Sequence, residues 1–274
     1  HFKTSGKDNW NKLDMALQLI DQAQNAGLQL TVDRYPYIES MTQLSVILPP
    51  PYNDIDDVSL QELFRHPGEA DKLAAALREL PPERWQTVRL VNSTAPEYAA
   101  MQGVTLQEIS ARTGKTPWQV CCELLIADTP GTTAAFRGMD PENMQRILTL
   151  PYTACGTDET ARPTHYQLGR SHPRGFGSFP EFFRRLHGEL PIGEIIRKMT
   201  SLPATVFGLR DRGRIAPGYA ADLVLFNPDK FSSPADFASP HQAANGIYHV
   251  FVNGKLSYSG GIVIGRAGKV LLQQ

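Results

Sequence analysis

The chain has 274 residues, 41% of them hydrophobic and 20% charged, with a formal net charge of −1. That composition suits a soluble globular protein with room for one large domain or two smaller ones. The near-neutral balance argues against a nucleic-acid partner, and no apolar run approaches the roughly 18 residues of a membrane span. The three cysteines, Cys121, Cys122 and Cys155, are odd in number and two are vicinal, so a reducing, cytoplasmic setting is expected rather than a disulfide framework.

The chain opens His1-Phe2-Lys3-Thr4-Ser5-Gly6. Positions two apart on a strand face the same way, so His1 and Lys3 are expected to look together past a strand end. Such a site belongs inside a domain and no initiator Met precedes it, so the chain is expected to be the later part of a longer protein. A plain terminal histidine is the bland alternative. Asp8 to Ala26 predicts a helix, with Leu13, Leu17, Ile20 and Ala23 on one stripe and Gly27 as its stop. Leu28 to Asp33 alternates as a strand ending at Tyr35-Pro36-Tyr37.

The rhythm breaks at Pro49-Pro50-Pro51. From there to about Tyr98 the text is helix-rich and proline-punctuated, with one strand candidate at Val88 to Val91. It reads as an insertion over about residues 45–100, of the kind that forms lids. Thr105 to Glu108 and Thr116 to Gln119 then spell capping boxes, and Asp140-Pro141 starts a third helix. Thr132 to Phe136 reads as a short buried strand, and Tyr152 to Asp158 as a strand ending on a carboxylate. A Gly-rich loop with His and Arg runs from Thr160 to Ser178, before helices at Pro180 to His187 and Pro191 to Met199. After about Leu209 the pattern turns to β, with Ala221 to Phe226 and an Asn253-Gly254 hairpin over Val250 to Tyr258.

Several pieces, in this order, resemble the metal-dependent amidohydrolase superfamily, nearest to its D-aminoacylase (N-acyl-D-amino-acid deacylase) branch. They are His1-Phe-Lys3-Thr-Ser-Gly6, Tyr35-Pro-Tyr37, Gly156-Thr-Asp158, His172-Pro-Arg174, Lys198 to Ala204 with Phe207-Gly-Leu209, Gly218 to Val224, and Val252-Asn-Gly-Lys255. The resemblance implies an α/β chain: the C-terminal part of a (β/α)8 TIM-type barrel over residues 1–208, with the inserted lid, and part of a small C-terminal β-domain over 209–274. Family members carry a His-x-His, a bridging Cys and a further His upstream of the stretch matched here. His1 would then be the sixth-strand metal ligand, in a centre of one or two zinc ions whose other ligands lie upstream.

By the same resemblance Asp158 is the catalytic carboxylate, passing a proton from the attacking water to the leaving amine. Its plain alternative is a helix N-cap. Lys3, Tyr35 and Arg174 match substrate-binding positions. An N-acyl amino acid offers an α-carboxylate to the Arg fork, and a Tyr hydroxyl suits a carbonyl oxygen developing charge. Arg174 as a surface cation and Tyr35 as a core aromatic are the alternatives, and Tyr37 competes with Tyr35. Glu159 stands where many relatives have Gly, and would either perturb the site or face solvent. Met41 stands where relatives often carry Ser, in a position that lines the side-chain pocket.

Cys155 tempts a metal reading but, by strand alternation, faces away from Asp158 and is expected to pack. His165 and His172 tempt a metal reading; His165 stays unassigned. His66, His187 and His241 read as surface residues. A carboxylate pair such as Asp33 with Glu39 would suit a glycosidase but lacks supporting features. Three functions follow: an N-acyl-D-amino-acid deacylase acting on a small molecule, a cyclic-amide hydrolase of the dihydroorotase or hydantoinase type, or a non-catalytic partial barrel. The Lys3 position and the His-Pro-Arg loop argue against the second. The third rests on ligand count, since two ligands fall short of the usual three or more for zinc. Alone, the chain is expected to bind metal weakly, lack activity, and aggregate or pair with the missing barrel part or an oligomer partner.

Overall fold

The structure is a computed structural model and describes residues 1–271; Leu272, Gln273 and Gln274, the end of the expected β-tail, lie outside the described residues. A 3-10 turn over Lys7–Lys12 leads into α1, Leu13–Asn25. Leu13 and Ile20 of the expected stripe are buried, and Leu17 and Ala23 half-buried. β1 covers only Val32–Arg34. It begins later than the alternation from Leu28 predicts, because the exit turn of α1 holds that backbone. Leu28 N donates to Ala23 O at 3.1 Å, and the Gln24 side chain donates to Leu30 O at 3.2 Å.

The middle of the chain builds a unit with its own core. It comprises β2 (Glu39–Gln43), α2 (Asp57–Leu63), α3 (Glu69–Arg78), α4 (Arg84–Thr87), β3 (Val88–Asn92), α5 (Leu106–Thr113), α6 (Pro117–Asp128) and β4 (Thr133–Arg137). Both capping boxes close: Thr105 with Glu108 starts α5, and Thr116 with Gln119 starts α6. The strands form one antiparallel sheet in the order β2-β4-β3, so the strand expected at Thr132 to Phe136 is its central member. Leu44, Leu73, Leu90, Ile109, Leu124 and Ala134 share the core beneath it. The helices expected to resume a regular rhythm at Thr105 therefore pack on residues read as insertion.

Next come α7 (Pro141–Thr149), β5 (Thr153–Cys155), α8 (Arg174–Leu186), α9 (Ile192–Met199) and α10 (Ser201–Val206). β1 and β5 run parallel, with Val32 opposite Thr153 and Arg34 opposite Cys155. Among the described residues no further strand joins either of them. Met144, Leu148, Cys155, Phe182, Phe183 and Ile195 form a second core behind this pair. α8 starts at Arg174, ahead of the Pro180 expected to open it, and Pro180 lies inside the helix. Proline removes one internal donor, but helical bonding already runs ahead of it, Gly177 N donating to Pro173 O at 2.8 Å.

The chain ends in β6 (Leu223–Phe226), β7 (Ile247–Val252), β8 (Lys255–Ser259) and β9 (Ile262–Val263), an antiparallel sheet in that order. Asn253 takes the left-handed conformation, φ 49°, that the expected Asn-Gly turn demands. Among the described residues no helix is long and apolar enough to cross a membrane.

Candidate active site

Parallel pairing of β1 with β5 brings their carboxyl ends to one edge. That edge receives Asp33 from β1, Tyr35 immediately after it, and Asp158 from the turn that follows β5. The chain start joins them: Phe2 N donates to Asp33 O at 2.9 Å, which lays His1 alongside. His1 Nδ1 contacts Asp33 Oδ2, and its Nε2 lies 2.9 Å from Asp158 Oδ1. Asp158 Oδ2 in turn lies 2.8 Å from Arg174 Nη1. A continuous Asp33–His1–Asp158–Arg174 chain results. Carboxylates on both imidazole nitrogens hold the ring orientation, Asp33 from behind and Asp158 from the side of the site.

Asp158 sits at φ 51°, a left-handed conformation that Asp tolerates better than most residues. The turn sends consecutive carboxylates in different directions. The Asp158 side chain stays 38% exposed beside His1, while that of Glu159 is 6% exposed and lies inside. Glu159 Oε1 is 3.5 Å from Arg162 Nε, and Oε2 is 4.0 Å from Arg174 Nε. Glu159 thus faces two guanidiniums rather than solvent. Gly175 permits this, since a Cβ there would come within 2.8 Å of Glu159 Cγ.

Tyr35 is fully buried, and its hydroxyl has no partner among the described residues. Its ring centroid lies 5.6 Å from that of His1, with the Arg34 and Arg174 guanidinium carbons at 4.3 and 4.7 Å and Lys3 Nζ at 5.9 Å. Burial raises the Tyr35 pKa against the pull of both arginines. Burial, then the Arg34 charge, lowers that of Lys3, with Asp158 opposing. Burial draws Arg34 down to about 10; its Nη2 donates to Tyr37 O at 2.7 Å, while Nε and Nη1 have no partner among the described residues. The Tyr37 hydroxyl lies instead against Gly177 and Ser233, where any Cβ on Gly177 would collide with it. Of the two tyrosines, Tyr35 is the one that meets His1 and Arg174.

The five residues singled out from the sequence, His1, Lys3, Tyr35, Asp158 and Arg174, therefore gather in one place. Arg174 is not a surface cation: it is 4% exposed. His241, expected at the surface, is 5% exposed. Its Nε2 lies 2.9 Å from Ser171 Oγ, and its ring packs on Tyr166 and Phe176. A short polar segment gave no hint that Tyr166 and Phe176 would close over it. His66 and His187 are exposed, and Cys155 packs in the core near the α8 phenylalanines. The sequence also left Asp33 and Glu39 as a carboxylate pair. Asp33 engages His1, whereas burial raises the pKa of Glu39 against Arg137 and Arg89. The shared face of Asp33 and Tyr35, two apart on a strand, was the available signal.

Among the described residues no three His, Cys, Asp or Glu side chains converge to hold a metal ion. Asp33 and Asp158 meet opposite nitrogens of His1, so the three cannot share one ion. His1 Nε2 and Asp158 Oδ1 are nonetheless a nitrogen and an oxygen donor of the kinds zinc takes, side by side at 2.9 Å. They fit as part of a coordination sphere, one donor short of the usual three.

A sequence model of the amidohydrolase family matches residues 68–258. N-acyl-D-glutamate deacylase of Alcaligenes xylosoxydans xylosoxydans is 31% identical over 274 residues, covering 99% of this chain and 47% of the relative. Among solved structures, N-acyl-D-glutamate deacylase from Bordetella bronchiseptica, complexed with zinc and a phosphonate mimic of the tetrahedral intermediate, superposes with a TM-score of 0.70 at 28% identity. That match covers 99% of this chain and 48% of the other. A D-aminoacylase with a binuclear metal centre, activated by one metal and attenuated by the second, gives 0.66 at 30% identity over 97% of this chain and 47% of its own. The chain thus spans about half the length of the relatives it matches.

Proposed function

The chain belongs to the amidohydrolase family, and on that footing we propose that it supplies the proton-transferring and substrate-gripping half of an enzyme that hydrolyses N-acyl-D-amino acids. The observation that carries this is the Asp33–His1–Asp158–Arg174 chain beside Tyr35 and Lys3. His1 is the metal ligand, oriented by Asp33. The ion is zinc, one or two per site, with its remaining ligands supplied from outside this chain. Bound there, it would lower the pKa of water and polarise the amide carbonyl.

The residues of this chain do the rest. Without substrate, Asp158 is paired with Arg174 at 2.8 Å. An incoming α-carboxylate offers the Arg174 fork a better-matched partner. That exchange frees Asp158 to take the proton of the attacking water and deliver it to the leaving amine. Tyr35, kept neutral by burial, donates its hydroxyl to the oxygen on which charge develops. Lys3 adds a second cation for the carboxylate.

The wider architecture of the proposal is a (β/α)8 barrel. Residues 1–208 contribute its later part with an insertion at about 45–100, residues 209–274 share in a small β-domain, and the setting is cytoplasmic. The test is turnover by the intact protein of N-acyl-D-amino acids, their L-forms and cyclic amides. Selective release of D-amino acids supports the proposal. Ring opening in preference to deacylation would replace it with a cyclic-amide hydrolase, and no turnover at all with a non-catalytic role.

A further inference from the structure

His172 is fully buried. Its Nδ1 accepts the backbone N–H of Arg174, the first residue of α8, at 2.9 Å. That N–H is one of the donors a helix start leaves unsatisfied, and His172, one residue ahead of the N-cap position held by Pro173, supplies its side-chain acceptor. With Nδ1 accepting, Nε2 carries the ring proton. Burial and the nearby Arg174 charge push its pKa well below the usual value, with the Glu39 backbone opposing, and keep the acceptor available.

The same ring touches the second half of the site. It lies 6.4 Å from the Tyr35 ring and 5.2 Å from that of Tyr37, the latter edge-on. A third aromatic, Phe237, packs edge-on at 4.8 Å from the C-terminal segment. That segment is tied down in turn, because Arg170 Nη2 donates to Phe237 O at 3.1 Å. Tyr35 arrives from β1 and Arg174 from α8; nothing in the backbone topology alone sets their spacing. We propose that His172 is a positioning residue that fixes Arg174 relative to Tyr35, by capping the first turn of α8 through Nδ1 while its ring packs against the Tyr35-Pro36-Tyr37 segment.

This rests on the reading of Arg174 and Tyr35 as substrate-binding residues. The acceptor and the ring are separable by substitution. His172→Phe keeps an aromatic ring and removes the acceptor. His172→Asn loses the ring, but its side-chain oxygen can accept from the N–H two residues on, as Asn does in turns. A site held only by packing ranks Phe above Asn, and one positioned through the cap ranks Asn above Phe.

The experiment uses the intact protein and two readouts. In steady-state kinetics His172→Phe is expected to raise KM for an N-acyl-D-amino acid about tenfold with kcat changed less than about threefold, the pattern of lost binding common to ground and transition states. His172→Asn is expected to stay within about threefold of wild type. Hydrogen exchange over the start of α8 is read in parallel. The Arg174 amide should be protected in wild type and His172→Asn, and exchange about tenfold faster in His172→Phe, as an uncapped helix start does. Fast exchange of this amide in wild type, or a His172→Asn variant worse than His172→Phe in either readout, would overturn the proposal. A wild-type protein with no deacylase turnover defeats the proposed function, and the exchange data still decide the role of His172.

Discussion

At the residue scale, the five side chains that the motifs pointed to meet at the ends of β1 and β5 and the start of α8. Their neighbours were harder to read. Asp33 was legible as a strand end and as a carboxylate paired with Glu39 but not as the partner of His1, because a contact across 32 positions leaves little trace in local pattern. The inward turn of Glu159 depends on the left-handed backbone at Asp158, which sequence alone does not reveal. Asp33→Asn is expected to weaken zinc binding by the intact protein about 10- to 100-fold, since carboxylates behind metal-bound imidazoles act at that scale; competition with a chromophoric chelator measures it. Arg174→Lys keeps the charge but loses the bidentate fork. It should raise KM for the N-acyl-D-amino acid by about tenfold while kcat falls much less, a split that initial-rate kinetics resolves.

At the element scale, local signals with a mechanism held. The Thr105 and Thr116 boxes, the Asp140 cap and the Asn253-Gly254 turn all form as their chemistry dictates. What failed was pattern without chemistry. Leu28 to Thr31 alternates like a strand, but the α1 exit turn claims its backbone. The start of α8 was hidden because its N-cap position is Pro173, and its first N–H is taken by the His172 ring rather than by the usual Ser, Thr, Asp or Asn cap. Thr116→Ala is expected to cost about 1 kcal/mol, seen as a lower denaturation midpoint at unchanged slope. Phe183, fully buried in the second core, should cost about 3–5 kcal/mol on truncation to Ala.

At the scale of the whole molecule, the sequence resemblance to amidohydrolases is upheld by the family match over residues 68–258. Strand partnership was less legible. β4 reads like any buried strand, and only the fold shows it pairing with β2 and β3. Parallel strands are normally covered on both faces within larger sheets, yet β1 and β5 have only each other among the described residues. Leu223, Val224, Leu225, Ile262 and Val263 also stand exposed on the C-terminal sheet. The 274-residue chain on its own is therefore expected to self-associate or aggregate, as light scattering after size exclusion will show.

Lys198 gives a pH test of the same fold. It is fully buried, its Nζ bonded to Leu150 O at the end of α7, and burial lowers its pKa from 10.5 to about 8. Between these values the unfolded chain binds a proton that the folded chain does not, so stability should rise from about pH 8 to about 10.5 and be lost as pH falls back through that window. Lys198→Met should flatten this part of a stability-against-pH curve.

The proposed zinc-dependent site joins His1 and Asp158 with Lys3, Tyr35 and Arg174. Its most direct test is the zinc content of the intact protein, read together with chelator-sensitive release of D-amino acids, in wild type and in His1→Ala and Asp158→Asn. Stoichiometric zinc and D-selective turnover are expected in wild type, with reduced zinc in His1→Ala and loss of turnover in both variants. Unchanged zinc and turnover in His1→Ala, or full turnover in Asp158→Asn, would contradict it.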